Sequence, residues 1–264
     1  MTTSDVIVLE RGTVRSDARH VLEGYQFGTR EAPEPDTIMG TGPIYNVLID
    51  HPEATLLWDT GAHPAAEDRW TDEQYDHFEF LGGEEARLEP SLLEAGYAIE
   101  SIDGVIQSHL HFDHAGGLHH FAGGDVPIYV HERELEHAYL SSQTDRGGKW
   151  YDAKDFHHDL QWDLVQRKSR TLYEGIEVFH LPGHTPGLLG VEIAVQNGAV
   201  LLISDHADLR LNYEEAVPMS GGMIWNKEAW YESLEHVRTR AQRVDGLVVA
   251  GHDADDLERL RNLF

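Results

Sequence analysis

Residues 104–117 read GVIQSHLHFDHAGG. GVIQ (104–107) is a short β-branched run of the kind that makes a buried strand. Directly beyond it stand four side chains of metal-binding type: His109, His111, Asp113 and His114. His109 and His111 are two apart and point the same way from an extended turn. The Ala-Gly-Gly that follows lets the backbone turn tightly and a helix begin. Imidazole and carboxylate donors together suit Zn, Fe or Mn. The chain has no cysteine, so disulfides and thiolate ligands are excluded, which weakens a purely structural zinc reading.

The same logic repeats three times downstream. IEVFH (176–180) leads to LPGHTPG with His184, AVLLIS (199–204) leads to Asp205, and GLVVA (246–250) leads to Gly-His252-Asp. Four strand ends therefore offer seven donors. One tetrahedral ion takes four, so seven point to two ions, with a carboxylate such as Asp205 bridging them at roughly 3.5–4 Å. Alone, each later residue has an ordinary reading: His252 as a surface or core histidine, His184 as turn chemistry, Asp205 as a helix cap. Their joint arrangement favours the ligand reading. His20, His119, His120, His137, His157, His158 and His236 lack such framing and read as surface residues. His180, inside a strand pattern, and His206, beside Asp205, read as non-ligands.

Outward from these motifs, 264 residues with 41% hydrophobic content suffice for a full core, in one domain or two packed halves. Nothing approaches the roughly 20 apolar residues of a membrane helix, and the N-terminus lacks the basic and apolar regions of a signal peptide, so a cytoplasmic location is expected. The formal charge of −27 repels phosphate backbones and anionic lipid and argues against nucleic-acid and membrane partners. Eighteen histidines are many for this length. There is no repeat and no linker; EAPEPD (31–36) reads as a surface loop and DADD (253–256) as a solvated face.

Apolar runs at 6–9, 44–49, 55–58, 104–107, 127–130, 176–179, 191–195, 199–203 and 247–250 predict strands. Helices are expected at 90–95, ending at Gly96, at 131–140, after an Asn226 N-cap, and at about 255–263. The helix after Asn226 carries an apolar stripe of Trp230, Leu234, Val237, Ala241 and Val244. Segments 62–88 and 141–170 do not read as strands. Their aromatics, Trp70, Tyr75, Phe78, Phe80, Trp150, Tyr151, Phe156 and Trp162, fit equally a channel wall or ordinary core packing.

With SHLHFDHAGG, LPGHTPG, ISD and AGHD in that order, preceded by PIYNVLIDHPEATLLWDTGAHP (43–64), the chain resembles the metallo-β-lactamase superfamily over nearly its whole length. The resemblance implies one domain over 1–264 of the α/β (α+β) class: an αββα sandwich, two mixed sheets with helices outside and the metals at one edge. It makes Asp59 a residue that orients a ligand histidine. The wording around SHLHFDHAGG is most similar to N-acyl-homoserine lactonases, the quorum-quenching enzymes. In that group His109, His111 and His184 would hold one metal, expected to be zinc, with Fe, Mn or Co open. Asp113, His114 and His252 would hold the other, and Asp205 would bridge. The implied reaction is opening of a lactone by a metal-bridging hydroxide, with Asp113 passing a proton to the leaving alkoxide. The group carries a tyrosine three residues after the bridging aspartate; here that position is Asp208, with Tyr213 off register. Asp113, Asp205 and Asp208 are thus the candidate catalytic residues. The expected partner is a small lactone or ester, with a homodimer open. A glyoxalase-II-like thioesterase, another ester hydrolase, a phosphodiesterase and a non-hydrolytic metal or redox protein compete. The first wants basic residues for an anionic thioester, the phosphodiesterase tolerates −27 poorly where RNA is the substrate, and the last wants an appended flavin domain.

Overall fold

The computed structural model describes residues 2–83, 86–144 and 149–263. Its strands are β1 (Asp5–Asp17), β2 (Met39–His51), β3 (Ala54–Trp58), β4 (Phe78–Leu81), β5 (Gly104–Ile106), β6 (Pro127–His131), β7 (Gln161–Val165), β8 (Ser169–Tyr173), β9 (Ile176–His180), β10 (Leu189–Val195), β11 (Gly198–Leu202) and β12 (Gly246–Val249). They form two sheets, ordered β4-β1-β2-β3-β5-β6-β7 and β12-β11-β10-β9-β8. Both sheets are mixed: β3, β5, β6 and β7 run parallel, as do β11 and β12, while the other pairs are antiparallel.

Side chains alternate across each strand, and in the central strands both faces are covered. Val47, Ile49, Leu56 and Trp58 meet Val191, Ile193, Val200 and Val249 of the second sheet. Leu48 and Leu57 point the other way, onto Leu88, Leu92 and Ala138 of the helices Leu88–Glu94 and Glu132–Ser142. Burial on both faces is why 44–49 reads as a continuous apolar run and not as an alternation. The second sheet covers its outer face with the helix Lys227–Val244, whose Val237 and Ala241 pack on Phe179, Leu201 and Val248. Asn226 caps that helix, accepting from the Ala229 amide at 2.9 Å. The layers are therefore helix, sheet, sheet, helix, the sandwich expected. No helix of the described residues is long and apolar enough to cross a membrane.

The expected strands are all present. Segments 62–88 and 141–170 need correction, because they contain β4, β7 and the start of β8; residues 84–85 and 145–148 lie outside the described residues. All three unread strands are sheet edges. β7 and β8 are mostly half-buried or exposed, so sequences such as QWDLV and SRTLY carry no apolar run to reveal them. DADD is a solvated face only in part, at Ala254 and Asp255. Asp253 caps the helix Ala254–Arg261, and Asp256 is buried, accepting from the Ala250 amide at 3.0 Å and pairing with Arg210.

This topology gathers five strand ends. β9 and β11 are both antiparallel to β10 and so point the same way, and β12 is parallel to β11. Their C-terminal ends share one edge of the second sheet. β3 and β5, parallel neighbours in the first sheet, end beside them.

Candidate metal centre

All seven donors read from the sequence converge. The ligand atoms of His109, His111, His184 and Asp205 lie within 4.8 Å of one another, as do those of Asp113, His114 and His252. Asp205 joins the two groups. Its Oδ2 lies 3.6 Å from His109 Nε2 and 3.4 Å from His184 Nε2. Its Oδ1 lies 3.2 Å from His114 Nε2 and 3.3 Å from His252 Nε2. Asp113 Oδ2 is 3.7 Å from His114 Nε2 and 3.6 Å from His252 Nε2. Four donors about 2.0–2.1 Å from a tetrahedral ion stand about 3.4 Å apart, and the spacings here cluster around that value.

The far nitrogens explain why the near ones face inward. His114 Nδ1 is 2.9 Å from Asp59 Oδ2, His184 Nδ1 is 2.6 Å from Met223 O, and His252 Nδ1 is 3.0 Å from Pro43 O. Donating an N–H to each of these oxygens leaves the Nε2 lone pair for the centre. His109 Nε2, His114 Nε2 and Asp205 Oδ1 are buried and make no hydrogen bond. His184 Nε2 and His111 Nδ1 face each other at 3.0 Å. Two such lone pairs repel unless a cation or proton stands between them. The donors therefore fit divalent metal ions.

The field points the same way. Burial pushes the His109 and His111 imidazoles well below their usual range. Burial also pulls on His114 and His252, but Asp205 and Asp113 outweigh it and lift both, His252 to about 9. Burial would raise Asp205, yet His114, His252 and His109 hold it well below the usual carboxylate range. The centre favours positive charge.

Asp59, at the end of β3, has the orienting place expected for it. It accepts from the Ser108 amide at 2.7 Å, Gln107 Nε2 at 3.2 Å and Ser108 Oγ at 2.8 Å, besides facing His114. Its φ is 54°, and Ser204, next to Asp205, has φ 48°. The left-handed region costs a non-glycine residue roughly 1–2 kcal/mol, and strain of that kind persists where surrounding bonds over-determine it. Gly116 has an ordinary φ. It is required because a Cβ there would fall 2.2 Å from the His63 amide nitrogen, so the Ala-Gly-Gly serves close packing and not a turn. Asp59→Asn is expected to weaken metal binding by about 10–100-fold, read by chelator competition; unchanged affinity would show that the four bonds serve folding alone.

Glu134 gave no signal in the sequence, being one acid among several in a charged helix. It is buried and accepts from the Leu110 amide at 3.0 Å, Tyr151 OH at 2.9 Å and Thr185 Oγ1 at 2.5 Å. It thereby ties the loop carrying His109 and His111 to the loop carrying His184. His180 and His206 lie outside both donor groups: His180 stacks on His131 at 3.8 Å, and His206 packs on Trp230. The other histidines are not uniformly on the surface. His157 and His236 are exposed, but His20, His119, His120, His137 and His158 are half-buried.

A cavity of about 110 Å³ opens on the centre. Asp113, Asp205, Asp208 and His252 form its polar side, and Val14, Val21, Phe78, Phe112, Trp150 and Met223 are among its apolar walls. Asp208 is buried with Oδ1 unpartnered, and burial with Asp205 nearby pushes its carboxyl well up. Tyr213 packs instead beneath the Arg238 guanidinium. The loop aromatics divide between both readings: Phe78 and Trp150 line the cavity, while Trp70 and Phe80 pack behind Phe112.

The model of the metallo-beta-lactamase superfamily matches residues 39–252. The N-acyl homoserine lactonase AiiB of Agrobacterium fabrum (strain C58 / ATCC 33970) is 28% identical over 266 residues, 97% of this chain and 95% of its own. The N-acyl homoserine lactonase AiiA of Bacillus thuringiensis subsp. kurstaki is 27% identical over 227 residues, 83% of this chain and 84% of its own. A solved N-acyl homoserine lactone hydrolase, with the product N-hexanoyl-L-homoserine at its catalytic metal centre, superposes with a TM-score of 0.83. It is 23% identical and covers 98% of this chain and 97% of that one.

Proposed function

Because the chain belongs to the metallo-beta-lactamase superfamily, we propose that it is a two-metal hydrolase that opens the ring of N-acyl-homoserine lactones. The observation that carries this reading is the bridging position of Asp205, one oxygen toward each donor group, beside an apolar cavity. The activity named for both relatives, and the product held in the similar structure, support an acyl lactone as the ester.

His109, His111 and His184 would hold one ion, Asp113, His114 and His252 the other, and Asp205 both. Zinc is the ion we propose, since imidazole-rich donors at tetrahedral spacing suit it. Such a pair, when bound, supplies Lewis acidity to a carbonyl oxygen and a water of lowered pKa. The chain's own groups do the rest. Phe78, Phe112, Val14 and Met223 offer the acyl chain an apolar wall. Asp113, half-buried at the cavity, would take the proton that the attacking water gives up and hand it to the leaving alkoxide, which becomes the hydroxyl of the opened product. Asp208 turns an unpartnered oxygen toward the same space and suits a hydrogen bond with the substrate. A cytoplasmic location belongs to the same proposal.

The test is direct. Purified protein is expected to bind two metal ions per chain and to open acyl-homoserine lactones of several chain lengths. A chelator should abolish turnover, and Zn²⁺ should restore it. Turnover of only a thioester or a phosphodiester would overturn the substrate; absence of bound metal would overturn the whole reading.

A further inference from the structure

Ser108 stands between the end of β5 and the donor His109, and it is fully buried. It belongs to neither donor group, yet each of its polar atoms is engaged. Its amide donates to Asp59 Oδ1 at 2.7 Å, and its carbonyl accepts from the Leu189 amide at 2.9 Å, across to β10 of the second sheet. Its Oγ has three neighbours: Asp59 Oδ2 at 2.8 Å, Ser204 Oγ at 2.9 Å and His109 Nδ1 at 3.0 Å.

A hydroxyl has one hydrogen and two lone pairs, and that count sets the direction of all three bonds. The Asp59 carboxylate only accepts, so Ser108 gives its hydrogen there. Ser204 then donates to Ser108 Oγ. His109 Nδ1 donates as well, because Ser108 has no second hydrogen to give. The His109 proton therefore sits on Nδ1, and the lone pair stays on Nε2, the buried nitrogen that makes no hydrogen bond and lies 3.6 Å from Asp205 Oδ2. The bond made by one ring nitrogen decides what the other can ligate.

Asp59 Oδ2 also faces His114 Nδ1 at 2.9 Å. His109 belongs to one donor group and His114 to the other. One carboxylate oxygen thus orients a histidine of each, His114 directly and His109 through the Ser108 hydroxyl. Ser204 directly precedes Asp205, so its bond to Ser108 ties the end of β11 to the ends of β3 and β5.

We propose that Ser108 is a positioning residue of the metal centre: its hydroxyl fixes the tautomer and rotation of His109 and carries the hold of Asp59 from one donor group to the other. The inference rests on the two-metal reading and is independent of which ester is cut.

The test uses the zinc-loaded chain with isotope-labelled histidine. Magnetic resonance of the unaltered chain is expected to show His109 as the Nδ1–H tautomer, its proton slow to exchange. Ser108→Ala should lose that protection while His114 keeps its own, and chelator competition should show zinc bound about tenfold more weakly. Ser108→Thr keeps the hydroxyl and should restore both the signal and the affinity. Ser204→Ala leaves His109 its acceptor and should lose clearly less than Ser108→Ala. Combining Ser108→Ala with Asp59→Asn should cost less than the product of the two single losses, because both act on one chain of bonds. Melting temperature is followed in every variant, and the tautomer of the unaltered chain decides even where Ser108→Ala does not fold. An Nε2–H tautomer of His109 with zinc bound, unchanged affinity in Ser108→Ala, or equal losses in Ser108→Ala and Ser204→Ala would overturn this proposal alone. Absence of bound zinc in the unaltered chain would overturn the two-metal reading and the proposal with it.

Discussion

Asp205→Asn is expected to lower lactone turnover by about 10³-fold and to reduce bound metal below two ions per chain. The reasoning starts from its two oxygens. Oδ2 stands 3.4 Å from His184 Nε2 and Oδ1 stands 3.2 Å from His114 Nε2, so one carboxylate serves both donor groups. An amide keeps the size but replaces one oxygen by an NH₂ that repels a cation. It also removes the negative charge that lifts His114 and His252, and the centre's pull on positive charge falls with it. Asp205 is buried, so the melting temperature must be followed alongside. A folded variant with one ion and near-normal turnover would show that one metal suffices and that Asp205 does not join two.

Much of that centre was legible because its donors sit where a linear reading can find them. His109, His111, Asp113 and His114 are neighbours in sequence, and His184, Asp205 and His252 each follow an apolar strand. The partners that hold those donors were less visible. Glu134 meets Leu110, Tyr151 and Thr185 across 24, 17 and 51 residues, and its own helix, rich in charge, says nothing of burial. Arg11 lies in a strand, and only tertiary contact with Asn46, Thr60 and Ala86 removes it from water. The strands hidden from the sequence fail for a related reason. β7 and β8 each close one sheet with mixed polar residues, and hydrophobic patterning misses such strands, whereas β12, which also ends its sheet, was legible because Val248 and Val249 are buried on its two faces. Asp59 was visible only through the Asp-Thr-Gly resemblance, since nothing in its own stretch says that it faces His114.

The same geometry gives Asp113 a role separable from its place in the donor set. It is half-buried and lines the apolar cavity, whereas Asp205 is buried between the histidines. A carboxyl group so placed reaches both the centre and the oxygen that departs when a lactone opens. Asp113→Asn keeps an oxygen donor and removes the capacity to carry a proton. For an acyl lactone, whose leaving group is a basic alkoxide, the variant is expected to lose about 10²–10⁴-fold in kcat. For a phenyl ester, whose leaving group needs no proton, the loss should be several tenfold steps smaller. Metal content, counted in the same samples, separates lost chemistry from lost ions. Equal losses on both substrates with both ions retained would remove proton transfer from Asp113 and leave it a ligand alone.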